Sequence, residues 1–147
     1  NGRLNVFHIT GTRDFEEIKK VYGNIQHLTL LPYAEDIYSL MKAVHIIIAR
    51  SGASSLAEIC ALKKPSILVP FPFAADNHQY FNAKLFKDAG LSLLIEESNN
   101  LEKDLYIAVK KLLSEPKHLQ NMRASYNNLT LPDPLHAAEK MVSILEK

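Results

Sequence analysis

The residues of this chain best equipped for chemistry lie between Arg50 and Asn82. The turn Arg50-Ser51-Gly52-Ala53-Ser54-Ser55 carries mostly small side chains, so a ligand can come close to its backbone. Gly52 is free to take φ > 0, and the Ser54 or Ser55 hydroxyl can cap a following helix. Free N–H groups and the helix dipole at such a start favour an anion, most often phosphate. An ordinary strand-to-helix turn with a serine cap fits the same residues, and the turn alone does not choose between the two. Glu58 follows about one helical turn later. A carboxylate there can accept two hydrogen bonds from a ribose diol, although a solvated glutamate is the commoner fate. His78, Gln79 and Asn82 form a second polar group, at the start of another helix. Amides suit sugar hydroxyls because each offers both donor and acceptor. A lone histidine at a helix start is more often a cap or a surface residue than a catalyst. Arg50 ends an apolar strand at the same edge, where support of the loops suits it better than direct phosphate contact.

Two helix starts must project from the same end of neighbouring strands to bring these groups together. The pattern predicts a strand from Val44 to Ala49, a helix from Ser54 to Leu62 and a strand from Ser66 to Val69. A helix from Asn77 to Ala89 follows, which Gly90 ends in a left-handed turn. Upstream, strands from Asn5 to Thr10 and His27 to Leu31 alternate with helices from Asp14 to Tyr22 and Asp36 to Lys42. Downstream comes a strand from Leu91 to Ile95. Asn100 then caps a helix with an apolar stripe of Leu101, Leu105, Val109 and Leu112. Further helices are expected from Pro116 to Asn127 and from Pro134 to Glu146, the latter with Asp133-Pro134 as cap and first-turn proline. This alternation predicts an α/β fold with a parallel, helix-covered sheet. Ligands bind such open sheets at the carboxyl ends of the strands. No repeat, low-complexity tract or domain linker is visible.

The 147 residues suffice for one domain with a real core, and 47% apolar with 22% charged residues is ordinary globular composition. With 17 basic against 16 acidic residues there is no overall field for nucleic acid. Cys60, the only cysteine, permits no internal disulfide and reads as a small core residue of a protein in a reducing compartment. No apolar run approaches the roughly 18–20 residues that span a bilayer. No signal peptide is visible either, so a soluble protein is expected. There is no Asp-x-Asp pair for a metal–diphosphate complex and no His/Cys spacing for zinc. Nor is there a Gly-x-Gly-x-x-Gly for a nicotinamide or flavin dinucleotide. Neither metal nor cofactor is expected, which leaves helix N-termini and hydrogen-bond donors to stabilise a leaving phosphate.

Taken together and at their spacing, four features resemble the donor-binding half of the MurG family. They are the Arg50-Ser51-Gly52-Ala53 turn, Glu58, the Val69-Pro70-Phe71 strand end, and the block from Asp76 through Asn82-Ala83. Members of that family move N-acetylglucosamine from UDP onto lipid-linked muramyl-pentapeptide in peptidoglycan synthesis. The likeness covers most of the chain and weakens towards both ends. It implies a Rossmann-like parallel sheet with helices on both faces, one lobe of a two-lobed glycosyltransferase of the GT-B type. It implies a donor-binding stretch of Ser51, Gly52, Ala53, Ser54, Ser55, Leu56, Ala57 and Glu58, with diphosphate and sugar against the backbone from Ala53 to Leu56. Glu58 corresponds to the glutamate that holds the uridine ribose. Gln79 and Asn82 correspond to sugar-contacting residues, and His78 stands where the family usually has the first of two glutamines. Pro32-Tyr33-Ala34-Glu35-Asp36-Ile37 matches the segment that wraps the base, with uracil bonded to the backbone of Ala34. By themselves these residues read as a loop entering a helix with Asp36 near its cap. The family commonly has a larger aliphatic residue where this chain has Ala34.

The implied reaction is inverting: a muramyl 4-hydroxyl attacks the anomeric carbon and UDP leaves. The resemblance puts the catalytic base on an amino-terminal lobe, so no catalytic residue is expected in this chain. Residues 1–147 are expected to be the carboxy-terminal lobe without its first strand and helix, and inactive alone. The lipid-linked acceptor, and peripheral contact with the cytoplasmic face of a bacterial membrane, would come through the missing lobe. One alternative is a non-catalytic UDP-sugar-binding subunit with a separate partner, since a eukaryotic relative divides the two lobes between polypeptides. UDP-sugar epimerases of the same architecture typically carry an Asp-Ser-Gly-Gly turn in place of Arg50-Ser51-Gly52-Ala53. A nucleotide-binding module unrelated to sugars is the remaining alternative.

Overall fold

The computed structural model describes residues 4–129, which fall into two compact units divided after Ala43. In the first unit, β1 (Val6–Ile9) pairs in parallel with β2 (Leu28–Leu31), and α1 (Phe15–Tyr22) connects them. The crossover helix is what parallel pairing requires, because a tight turn can join only antiparallel neighbours. Gly23, at φ 55°, ends α1 by donating its N–H to the carbonyl of Lys19. Asp36 sits just before α2 (Ile37–Ala43), where its Oδ1 accepts the Ser39 N–H at 2.9 Å. That is the expected cap. The Ser39 hydroxyl and then its N–H hold the Asp36 carboxyl below its ordinary value.

In the second unit β3 (Ile47–Ala49), β4 (Ser66–Leu68) and β5 (Ser92–Leu94) form a parallel sheet with β4 in the middle. Ala49, Leu68 and Leu94 lie side by side in register. The connections are α3 (Ala53–Ala61) and α4 (His78–Asp88), and α5 (Leu101–Ser114) and α6 (Pro116–Ser125) complete the unit. The central strand is buried along its length, as a strand covered on both faces must be. Ile67 packs with Ala108, Leu112 and Met122, flanked by Leu93, Leu105 and Val109. Strand alternation turns Leu68 to the other face, and Ile59 of α3 and Ala83 of α4 are likewise wholly buried. Truncating Leu112 to alanine in such a core costs about 2–5 kcal/mol.

Gly90 takes φ +72° as expected, with Leu91 N–H reaching the Phe86 carbonyl and Gly90 N–H that of Lys87, both at 2.9 Å. These two bonds satisfy the last carbonyls of α4, and register β5 directly behind it. Asn100 occupies the cap position of α5 but makes no side-chain cap bond. Its own N–H is instead held by the Ser98 hydroxyl at 3.1 Å, which sets the turn one step upstream. α6 ends at Ser125, and a 3₁₀ turn over Tyr126–Asn128 follows. The Tyr126 hydroxyl donates to the Lys64 carbonyl at 2.7 Å, and burial pushes its phenol well above the usual range. Cys60 is partly buried, which raises its thiol and keeps it protonated. The helix expected from Pro134 to Glu146, with its Asp133-Pro134 start, lies outside the described residues. Among the described residues no helix is long and apolar enough to cross a membrane.

Candidate functional site

The carboxyl end of the three-stranded sheet gathers most of the residues singled out above. Gly52 caps α3 with extended backbone, φ −67° and ψ 150°, so the freedom of glycine to take positive φ is not used. The helix starts at Ala53, one residue earlier than expected, which puts Ser54 and Ser55 inside the first turn. Neither caps the helix, and the cap has no side chain to do so. The first intrahelical bond joins Leu56 N–H to Gly52 C=O at 3.0 Å. The N–H groups of Ala53, Ser54 and Ser55 have no acceptor among the described residues. A Cβ added at Gly52 would meet nothing within 4 Å, so the approach to these donors is open. Unpaired N–H groups at the positive end of a helix, beside two hydroxyls, make an anion-binding surface.

This turn is tied to the start of α4. Ser51 is fully buried, and its Oγ donates to the Gln79 carbonyl at 2.7 Å. In return Asn82 Nδ2 donates to the Ser51 carbonyl at 3.1 Å. Gln79 Oε1 accepts the Phe71 N–H at 3.0 Å, linking the end of β4 to the same helix. Gln79 and Asn82 therefore each commit one end of the amide to the scaffold. Among the described residues, the Nε2 of Gln79 and the Oδ1 of Asn82 remain as their open ends. His78 places Nδ1 2.7 Å from the Ala75 carbonyl, so Nδ1 carries the proton and Nε2 is the unengaged nitrogen. Asp76 and Asn77 enter the helix at φ 50° and 52°. Left-handed backbone costs an L-residue roughly 1–2 kcal/mol, least for short polar side chains. Asp76 and Asn77 are both of that kind.

Along α3, Leu56 is buried and its N–H is taken by Gly52, which leaves Ala53 to Ser55 as the open donors. Ala57 is exposed and Glu58 half-buried. Helical spacing puts Glu58 on the side of Ser54 and Ser55, away from the buried Leu56 and Ile59. Its carboxylate has no hydrogen bond or ion pair among the described residues. Ala34 belongs to the first unit, in the turn before α2. It is half-buried there, and neither its N–H nor its C=O is bonded within the described residues.

Arg50 reaches across the strand ends. Its Nη1 donates to the carbonyls of Val69 at 3.3 Å and Pro70 at 3.1 Å, and to Glu97 Oε2 at 2.6 Å. The guanidinium carbon stands 5.6 Å from the centre of the Phe71 ring. These contacts make Arg50 a support of the loops. Glu97 was missed by the sequence reading, although the order β3-β4-β5 necessarily sets residues after Ala49, Leu68 and Leu94 beside one another. A cleft of about 70 Å³ bounded by Pro70, Pro72, Tyr80, Glu96 and Glu97 adjoins this corner. A larger cleft of about 270 Å³ lies by β5 and α5, among Leu93, Ile95, Ile107 and Lys111. It is mainly apolar and includes none of the open donors. Among the described residues, no three His, Cys, Asp or Glu side chains are grouped to hold a metal ion.

Comparison with known proteins bears on this geometry. A profile described as the glycosyltransferase family 28 C-terminal domain matches residues 1–138. The UDP-N-acetylglucosamine--N-acetylmuramyl-(pentapeptide) pyrophosphoryl-undecaprenol N-acetylglucosamine transferase of Elusimicrobium minutum is 38% identical over 146 residues. That match takes in 99% of this chain and 40% of that protein. The protein of the same name from Caulobacter vibrioides is 35% identical over 147 residues, with 99% and 40% covered. The chain thus spans about 40% of the length of these relatives. Among solved structures, Acinetobacter baumannii MurG matches with a TM-score of 0.78 at 24% identity, over 95% of this chain and 41% of that one. The glycosyltransferase VinC, in complex with dTDP, matches with a TM-score of 0.71 at 15% identity, over 99% and 35%. At these identities the two structures establish the fold, the α/β lobe of a GT-B glycosyltransferase with parallel sheets; the strand-helix alternation led us to expect the parallel sheet, and the family resemblance the GT-B lobe. By its sequence the chain belongs to the glycosyltransferase family 28 C-terminal domains and is MurG-like.

Proposed function

We propose that this chain binds the UDP-N-acetylglucosamine donor for a glycosyltransferase that acts on lipid-linked muramyl-pentapeptide. The observation that carries the proposal is the pair of helix starts, α3 and α4, bonded to each other through Ser51, Gln79 and Asn82 beside three unpaired N–H groups. In this reading the diphosphate lies against the N–H groups of Ala53, Ser54 and Ser55. Glu58 accepts from the ribose diol, and Gln79 and Asn82 offer their open amide ends to sugar hydroxyls, with His78 alongside. As the glycosidic bond breaks, charge grows on the departing UDP, and fixed N–H donors at a helix start stabilise it without reorganising. Acceptor binding, the base and contact with the inner face of the membrane are assigned to the part of the protein beyond this chain.

The names of the relatives and the whole-chain similarity support a uridine nucleotide over other phosphates. Calorimetric titration of the chain with UDP-N-acetylglucosamine, UDP, AMP and GDP tests it. UDP-N-acetylglucosamine and UDP should bind and compete, while AMP and GDP should not. Equal affinity for all four would point to a general nucleotide module.

A further inference from the structure

We infer that Glu97 is a positioning residue for the donor site, acting through Arg50 on the orientation of the Gln79 amide. The inference rests on the reading of Gln79 as a contact to the sugar of the donor. The Pro70 carbonyl and the Phe71 N–H belong to one peptide group, which is planar, so fixing one end fixes the other. Arg50 Nη1 holds the oxygen end at 3.1 Å, and Gln79 Oε1 receives the N–H end at 3.0 Å. The guanidinium is itself held by Glu97 Oε2 at 2.6 Å and lies against the Phe71 ring. A backbone N–H can be matched only by an acceptor, so this arrangement forces Oε1 inward and leaves Nε2 as the open end. Gln79 then presents N–H donors, and an oxygen acceptor on the ligand is what it can read.

Arg50 and Glu97 have side-chain exposures of 46% and 37%, and ion pairs this exposed add little to stability. The consequence of the pair is therefore orientation.

The test compares the wild-type chain with Glu97→Gln and Glu97→Asp. Two quantities are read: the ratio of UDP-N-acetylglucosamine to UDP affinity by calorimetry, and amide hydrogen exchange at Phe71 by NMR. Glu97→Gln should lower the ratio about fivefold, the scale of one neutral hydrogen bond, leaving UDP affinity and the melting temperature unchanged. Exchange at Phe71 should quicken in the same variant, and Glu97→Asp, which keeps the charge, should restore part of both. Either effect without the other overturns the inference, as does an equal loss for both nucleotides with a lowered melting temperature. A gain in UDP affinity would mean that Glu97 restrains a phosphate-binding Arg50, which also overturns it. A wild-type chain that binds neither nucleotide would defeat the reading of the site, and unchanged Phe71 exchange would then defeat the relay as well.

Discussion

The hydroxyl of Ser51 and the main-chain carbonyl of Gln79 meet at 2.7 Å across 28 residues of sequence. Through this bond a side chain with no exposed surface holds two helix starts in fixed relation. Ser51→Ala removes the donor and leaves the Gln79 carbonyl to its own helix. The expected cost is about 1 kcal/mol, the net worth of one such bond. Urea unfolding should show a lower midpoint with an unchanged slope, and UDP-N-acetylglucosamine should bind more weakly. An unchanged midpoint would mean that the bond does not hold the two helices.

Asp36 links acid stability to the cap of α2. Its carboxyl is held below the ordinary value by the Ser39 hydroxyl and N–H. A carboxyl depressed in the folded state stabilises fully above its unfolded pKa of about 3.9 and loses that contribution as pH falls through the folded value. Asn caps a helix as well as Asp but does not titrate. Asp36→Asn should therefore match wild type near neutrality and show a shallower loss of helicity on acidification, followed by circular dichroism from pH 6 downwards. Superimposable acid limbs would remove Asp36 from the cap.

Donor binding should be indifferent to divalent metal. No Asp-x-Asp pair stands in the sequence, and no ligand group is assembled among the described residues. Titrations of UDP with magnesium and with chelator should agree. A tenfold gain with magnesium, about 1.4 kcal/mol, would reveal a ligand set outside this description.

The strand-helix alternation was legible because buried parallel strands and amphipathic helices differ in period, as Ile67-Leu68 and the Leu105, Val109, Leu112 stripe show. The cap of α3 was misread for a local reason. Serines beside a glycine signal a side-chain cap, but the helix began at Ala53 and placed both serines in its first turn. Which amide ends of Gln79 and Asn82 stay open was not legible at all. Local sequence cannot reveal that Phe71 and Ser51, brought in by the strands, each engage one of them. The partner of Arg50 lies 47 residues away, and only strand order could have suggested it.

Glu58→Ala should weaken UDP through the ribose. Hydrogen bonds to a charged group contribute roughly 1.5–3 kcal/mol, and a net loss of about 2 kcal/mol is roughly 30-fold in affinity. Glu58 is half-buried and without a partner among the described residues, so the fold should survive. Wild type should prefer UDP to 2′-deoxy-UDP, and the variant should scarcely distinguish them. Equal discrimination by both proteins would take Glu58 out of the site.

Amide chemical-shift mapping with UDP-N-acetylglucosamine tests most directly whether the donor sits at the two helix starts. The expected result is perturbation concentrated at Gly52 to Leu56, Glu58 and His78 to Asn82, with the largest shifts at the unpaired N–H groups of Ala53, Ser54 and Ser55. Shifts clustered instead at Leu93, Ile95 and Ile107, in the larger apolar cleft, would contradict the assignment of the site.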